Sequence, residues 1–447
     1  MNAALQQYLD LFGAQRERLQ TASPEVMNAV RQSAFDLLQT DGLSTRRTER
    51  YKYTDVSALL APDYGLNLLR HAPKALPTRC AVPGLSAQTI YVAGDVPMLQ
   101  GNNTVGRQEG VEVLSLAEAQ SRYPSILHDN YHALAAPGRD PLTALNTLLA
   151  QDGLLIYIKE GTHSATPLQI VFTASTRTAA MHNRRLLVVC EARSRAQILL
   201  CDHCESSAPT LTTQVTEVFL GKGAELDVYG VEETRAVCNR VHNLYARQEA
   251  DSRLSVCDVT LRAGLSRTQA DVTLEGTGAS VHLAGAIVAG GTQHIDNNLL
   301  VNHQAPECNS EMLYKSVLDG ESTVAFAGKV YVAPGAQQTV SHQTSANLCL
   351  SPTSRALTQP MLEIYADDVK CNHGATVGKL DEAALFYMRQ RGIGEEEARL
   401  LLQHAFVSEI VAHIGLPALR DRLTTLIDQR IRGAADTHCA GCGLCGK

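Results

Sequence analysis

Four segments in the middle of the chain begin at nearly equal intervals. Ala196-Gln-Ile-Leu-Leu, Ala224-Glu-Leu-Asp-Val, Ser252-Arg-Leu-Ser-Val and Ala279-Ser-Val-His-Leu follow one another at a nearly constant step. Each opens on a small residue and then sets apolar side chains two apart, as a strand buried on one face requires. A second series, Val218, Tyr245, Val272 and Leu300, advances by the same step. Two interleaved series at one period imply successive turns of a solenoid, each carrying more than one strand. No long amphipathic helical pattern interrupts residues 185–345, so helical repeats and βαβ units fit poorly. A parallel β-helix is the natural reading, because stacked turns satisfy one another's backbone groups. An ordinary β-sandwich with accidental spacing is its rival.

The flanks differ in texture. The N-terminal part, up to about Leu60, reads as helical: Ser23-Pro24 supplies a cap followed by proline at the first helical position. Val26, Val30, Ala34, Leu37 and Leu38 then share one face, and Gly42 is the stop. After Tyr53 prolines recur at 62, 73, 77, 83 and 97, around one strand candidate, Thr89-Ile90-Tyr91-Val92. The β-like runs open at Gly153. Towards the C-terminus, Gly392 and Gly394 separate two helical segments, and Glu395, Glu396 and Glu397 put negative charge where the helix dipole favours it. Ala398, Leu402, Ala405 and Phe406 share a face in that segment, and Pro417 opens a helix with Leu419, Leu423, Leu426, Ile427 and Ile431 as an apolar stripe suited to internal packing. The expected division is a mostly helical N-terminal domain over 1–152, a β-helix core over 153–378, a helical C-terminal domain over 379–433 and a Cys-rich tail over 434–447.

With 447 residues and 45% hydrophobic content, the chain can bury a sizeable core. A net charge of −7 argues against a nucleic-acid binder with a basic field. Arg46, Arg47 and Arg50 form the one short basic run, read as a solvated helix end or loop. The N-terminus lacks the basic start and apolar stretch of a secretory signal, and no apolar run is long enough to span a membrane. Twelve unevenly spaced cysteines suit reduced thiols rather than a disulfide framework. A soluble cytoplasmic protein is expected.

Several groups of residues have the chemistry to act. Cys371 and His373 lie two apart in an apparent strand, so thiolate and imidazole project from one face and are able to address one metal or cluster. Two ligands do not close a site, so a partner has to supply the others. The alternative is a core cysteine beside a surface histidine. Cys439, Cys442 and Cys445, preceded by His438, form a C-x2-C-x2-C array that suits a transient iron or cluster site, or a thiol-rich tail with no fixed role. Cys201-Asp-His203-Cys204 is a weaker pair with no second pair nearby, and its structural reading is favoured. No G-x-x-x-x-G-K-[ST] run occurs, so a phosphate-cradling nucleotide site is not expected. A β-helix acting on polysaccharides would need carboxylates along one groove, for which Asp271, Asp296 and Glu311 are the candidates.

The segment Pro360-Met-Leu-Glu-Ile-Tyr-Ala-Asp-Asp-Val-Lys-Cys-Asn-His-Gly-Ala-Thr-Val-Gly-Lys-Leu-Asp381 closely resembles the hallmark stretch of SufD proteins in the SufB/SufD family. Leu385-Phe386-Tyr387, Arg391-Gly392-Ile393, Ala398-Arg399 and Phe406 follow at the family's spacing. Upstream, Phe326 to Val332 and Asn347-Leu348-Cys349-Leu350-Ser351 look like its preceding β-helix turns. Glu49-Arg-Tyr-Lys-Tyr-Thr-Asp55 resembles a further landmark, with Tyr51 where tryptophan is usual. Asn372-His373-Gly374-Ala375-Thr376 resembles the SufD form of the run rather than the Glu-His-Glu-Ala-Thr type of SufB.

The resemblance implies a mainly β fold: a right-handed parallel β-helix between helical domains. It implies a non-ATPase scaffold subunit for iron–sulfur cluster assembly, pairing with SufB through the last β-helix strands and docking the SufC ATPase on the C-terminal helices. It assigns His373 to cluster assembly at that interface and Cys371 to the neighbouring interface cysteine, with a nascent cluster or iron held transiently. Where SufB carries a sulfur-accepting cysteine this chain reads Ser345-Ala346-Asn347, so it is not expected to receive sulfur; nearby Cys349 reads as a small buried hydrophobe. The unpaired end strands of a β-helix also suit a homodimer of the free chain.

Overall fold

The computed structural model describes residues 2–70, 82–99 and 108–433. At its centre is a parallel β-solenoid of two sheets between which the chain alternates. The first sheet runs from the β1–β2 hairpin (β1 Gln88–Ala93, β2 Val96–Met98) through β5 (Leu168–Ala174), β7 (Arg195–Cys204), β9 (Glu225–Glu233), β11 (Arg253–Arg262), β13 (Ser280–Ala289), β15 (Asn309–Leu318) and β17 (Thr339–Cys349) to β19 (Val369–Gly378). The second runs from β3 (Val111–Ser115) through β4 (Leu154–Ile158), β6 (Ala180–Cys190), β8 (Thr210–Leu220), β10 (Cys238–Gln248), β12 (Leu265–Leu274), β14 (His294–His303) and β16 (Thr323–Val332) to β18 (Arg355–Ile364). The strand anticipated at Thr89–Val92 is β1, which joins the first sheet.

The mainly β, parallel solenoid reading is correct, with two refinements of register. On the first sheet Leu226, Leu254, Val281, Ser310, Ser341 and Cys371 stack one above another, and the step between turns lengthens towards the C-terminal end. Ala196 lies opposite Leu226, two positions from the spacing expected, a shift that keeps the same face inward. On the second sheet the column is Val218, Ala246, Val272 and Val301. Tyr245 and Leu300 each stand one position off that column, because turns of unequal length drift against a fixed period. A single step reverses the face: Tyr245 points out of the solenoid, its hydroxyl 2.8 Å from that of Thr143.

The interior is divided lengthwise. Along one side Val188, Ile198, Val218, Leu226, Val256 and Val272 form part of a continuous apolar core. Along the other, Asp202, Glu232, Arg240, His242 and Asp258 line one small cavity, and Arg184 lines a second that shares Phe172 and Gln214 with it. Arg184 donates to Asp202 at 2.7 Å and lies over the Phe172 ring; Arg240 donates to Glu232 at 3.0 Å. Burial pushes the Asp258 carboxyl up to about 6, with Arg240 opposing and Glu232 reinforcing the shift. An acid whose folded pKa exceeds its unfolded value keeps a proton that the unfolded chain has released, so its contribution to stability declines as pH rises from about 4 to about 6. A shift of about 2 units corresponds to about 3 kcal/mol at most. Asp258→Asn is expected to flatten the fall in stability between pH 4.5 and 7.5 by up to about 2 kcal/mol, the part of that total lost above pH 4.5. Urea midpoints of both proteins at the two pH values test this; parallel slopes would mean that the folded protein holds Asp258 ionised.

Helices cover the outer faces. α1 (Ala3–Thr21), α2 (Glu25–Asp41), α3 (Val56–Leu60) and α6 (Pro141–Leu149) build a cluster in which Leu5, Phe12, Leu38 and Leu145 meet Met181, Leu211 and Val241 of the second sheet. α4 (Leu116–Arg122) and α5 (Pro124–Asn130) complete this side. Gly42 ends α2 with φ of 70°, as expected, but Pro24 is the N-cap rather than the first helical residue. The Ser23 hydroxyl instead accepts from Arg31 at 2.6 Å, and the first-turn N–H of Val26 is taken by the Gln120 side chain at 3.2 Å.

On the opposite side, α8 (Glu395–Ala412) and α9 (Pro417–Ile431) lie on the first sheet, where Val407, Ile410, Leu419, Leu423 and Ile427 meet Cys257, Ala284, Ala286 and Val288. The α9 stripe is therefore internal core. In α8 the buried face is Ala398, Gln403, Val407, Ile410 and Val411, and Ala405 is exposed. The helix serves two neighbours: its start packs on α7 (Glu382–Gln390) and its remainder on the sheet.

Candidate functional site

The solenoid ends abruptly. β19 is the outermost strand of the first sheet and β18 of the second. β17 keeps Thr339, Ser341, Gln343, Ser345 and Asn347 buried on its inward face. β19, one turn later, is exposed at most of its positions, and β18 is only half-buried. The difference is positional, because each turn's inward side chains are covered by the next, and among the described residues no further turn follows.

Cys371 and His373 stand in register with Ser341 and Gln343, so both continue the inward face at this open end. Cys371 is half-buried against the apolar core, and burial pushes its thiol up from the ordinary range. His373 is exposed. Beneath it, Gln343 donates to the Gly328 carbonyl at 2.9 Å, while its own carboxamide oxygen has no partner among the described residues. A Cβ at Gly328 would lie 1.9 Å from the Gln343 nitrogen, so the glycine makes room for that side chain. Asn347 donates at 3.1 Å to the Thr376 carbonyl and ties β17 to β19. This polar stack under His373 escaped the sequence reading, although Ser341, Gln343, Ser345 and Asn347 alternate at the strand period. Ser345 and Asn347 lie on that buried face, and Cys349 packs partly buried beside Ile287, Ala289 and Ile295.

The other candidates separate. Asp271 pairs with Arg50, and Asp296 with Arg267 and the Thr54 hydroxyl, on the outer face of the second sheet. Glu311 belongs to β15 of the first sheet, 3.4 Å from His282. The three carboxylates share no groove, so the polysaccharide arrangement does not form. Arg50 is likewise no solvated end: besides Asp271 it donates to Asn298 at 2.9 Å, while Arg46 and Arg47 are exposed. Cys201 and Cys204 are three apart on β7 and face opposite ways: Cys201 packs towards the C-terminal helices and Cys204 against Cys238. Cys439, Cys442 and Cys445 lie outside the described residues. Among the described residues no three His, Cys, Asp or Glu side chains gather as a metal site, and no helix is long and apolar enough to cross a membrane.

Around the open end the surface is apolar. Ile364 and Tyr365 are exposed at the end of β18 and just beyond it, Val377 on β19, and Phe386, Tyr387 and Leu401 on α7 and α8. The open end thus combines a bare double sheet edge, two adjacent ligand-type side chains and exposed apolar residues, and it is an open surface rather than an enclosed pocket.

Residues 172–406 match the SufBD core domain of the SUF iron–sulfur cluster assembly system, and residues 2–170 match the SufBD N-terminal region. The chain belongs to the SufBD family of iron–sulfur cluster assembly proteins. Within it, the chain is 26% identical to the iron–sulfur cluster assembly protein SufD of Escherichia coli, over 97% of this chain and 98% of that one. It is 28% identical to an iron–sulfur cluster assembly SufBD family protein of Synechocystis, over 90% of each chain. It is also 26% identical to SufB of Bacillus subtilis, over 67% of this chain and 64% of that one.

Proposed function

We propose that this chain is the SufD-type subunit of a SufB–SufC–SufD assembly, a scaffold without ATPase or other catalytic activity of its own. The observation that carries the reading is the open solenoid end, where Cys371 and His373 share the inward face of a terminal strand. A SufB-type solenoid paired with β18 and β19 would extend both sheets and bring its own ligands beside these two. Iron or a nascent cluster is then cargo at the interface, held by a soft thiolate and an imidazole from this side. Exposed Phe386, Tyr387 and Leu401 offer the C-terminal helices an apolar contact for the SufC ATPase, and the absence of a P-loop motif leaves ATP chemistry to that partner. A cytoplasmic setting suits the reduced cysteines.

The test is the iron and acid-labile sulfide content of the chain purified anaerobically with SufB and SufC. His373→Ala is expected to leave the complex intact and lower cluster content by about tenfold or more, since losing even an outer-shell partner of a ligand costs that much. Unchanged cluster content in an intact His373→Ala complex would remove His373 from the site. Failure of the wild-type proteins to form a complex would overturn the subunit reading itself.

A further inference from the structure

Cys204 ends β7 and Cys238 opens β10, two turns that meet at one corner of the solenoid. Their sulfur atoms lie 2.6 Å apart, inside ordinary non-bonded contact and not far above the ~2.05 Å of a covalent S–S bond. Both residues are buried and packed with Ala174. The backbone holds them together: Arg235 N–H donates to the Cys204 carbonyl at 3.1 Å, and Cys238 N–H to the Arg235 carbonyl at 2.9 Å. Polar groups surround the Cys204 sulfur, with Thr210 Oγ1 at 3.3 Å and Ser206 Oγ at 3.4 Å.

The electrostatics differ from those of the other buried thiols. Burial pushes Cys190 up to about 12, as expected for a thiol among apolar groups. Cys204 is instead held below the ordinary thiol range, first by the hydrogen bond with Cys238, against its own burial, and then by hydrogen bonds with Ser206 and Thr210. Cys238 moves the opposite way, because it retains the shared proton. Two sulfurs in contact, of which Cys204 is the stronger acid, have the arrangement of a nucleophilic and a resolving cysteine.

We propose that Cys204 and Cys238 are a redox pair that closes reversibly to a disulfide, with hydrogen peroxide as oxidant and a small thiol as reductant. The Cys204 thiolate attacks one peroxide oxygen, the O–O bond breaks and hydroxide leaves, giving a sulfenic acid. Cys238 then attacks the Cys204 sulfur; the S–S bond forms, the S–O bond breaks, and the departing hydroxide takes the Cys238 proton as water. Overall two thiols and one peroxide give one disulfide and two waters. Two molecules of a small thiol reverse it by exchange and leave as their own disulfide. The bond staples the turn after Cys204 to the turn before Cys238, at a corner remote in sequence from Cys371 and His373.

The full chain is treated with hydrogen peroxide, its remaining thiols are alkylated under denaturing conditions, and the digest is read by mass spectrometry. The expected product is a cross-linked peptide pair containing Cys204 and Cys238, two hydrogens lighter than its parts and released by a small thiol. In Cys238→Ser, Cys204 is expected to accumulate as a sulfenic acid trapped by a dimedone-type reagent. In Cys204→Ser, Cys238 is expected to remain a free thiol. The proposal is overturned if the folded wild-type chain gives no Cys204–Cys238 cross-link, or gives it no faster than the chain oxidised in denaturant. It is also overturned if Cys204 in Cys238→Ser resists trapping while the circular dichroism of that variant stays native.

Discussion

Arg267→Ala is expected to destabilise the protein by about 3–5 kcal/mol, the scale of stripping one partner from a buried ion pair. Arg267 is fully buried and pairs with Asp296, itself almost fully buried. The same guanidinium donates at 2.6 Å to the Arg50 carbonyl and lies 4.3 Å from the centre of the Tyr51 ring. Removing it leaves the Asp296 carboxylate desolvated, with the Thr54 hydroxyl as its remaining side-chain hydrogen-bond donor among the described residues. It also loosens Glu49–Asp55, whose Arg50 reaches Asp271 and whose Tyr51 hydroxyl reaches Asp140. Chemical denaturation of wild type and variant gives the stability difference. Proteolysis under native conditions should cut the variant first near Arg50. The double variant Arg267→Met, Asp296→Leu is expected to recover most of the loss, because replacing both charges with apolar side chains removes the desolvated carboxylate. A loss below about 1 kcal/mol for Arg267→Ala would mean that the pair is solvated and that Glu49–Asp55 is held by other contacts.

This pair shows where sequence reading reached its limit. The segment Glu49–Asp55 stood out as a landmark, but its role did not. Arg50 sits in a basic run that looks solvated, and Asp271 and Asp296 look like free surface acids. Their partners lie far away along the chain, as with Arg50 and Asp271, and no local pattern encodes that distance. The solenoid was legible for the opposite reason: every turn repeats the same local alternation, so strand period and turn spacing appear in the chain directly. The unequal turn lengths were not legible, and they moved Tyr245 and Leu300 off the stacking column. At the open end, spacing alone placed Cys371 and His373 on one face, and their shared register with Ser341 and Gln343 follows from the same alternation. Their unequal exposure does not follow from it, since that depends on which turn is last. Cys204 and Cys238 were beyond reach for a related reason. They meet across turns, whereas the visible C-x2-C spacing linked Cys204 to Cys201, which faces the other way.

The second large effect is expected at the solenoid end. Ile364 stands in register with fully buried Val332, and Val377 with buried Asn347, so both occupy inward columns that a further turn would cover. Among the described residues of the single chain nothing covers them, and Ile364 is 37% and Val377 54% exposed. A long, flat double edge of this kind invites pairing, and natural proteins usually blunt such edges with charge. Here Ile364 and Val377 place apolar side chains at inward positions of the last strands, which suits a partner whose own sheets continue the stack. Replacing both Ile364 and Val377 with glutamate would bury two unpaired carboxylates at the centre of that joint. The variant is expected to lose affinity for a SufB-type partner by at least about 100-fold, roughly 3 kcal/mol. Any self-association of the free chain through the same strands should fall with it. Folding stability should change by no more than about 0.5 kcal/mol, because both side chains already meet solvent in the single chain. Sedimentation of the mixed and separate proteins measures both associations, and a denaturation curve serves as the control. Partner binding that survives with its wild-type affinity would exclude the solenoid end and leave the apolar surface of Phe386, Tyr387 and Leu401 as the place where the partner docks.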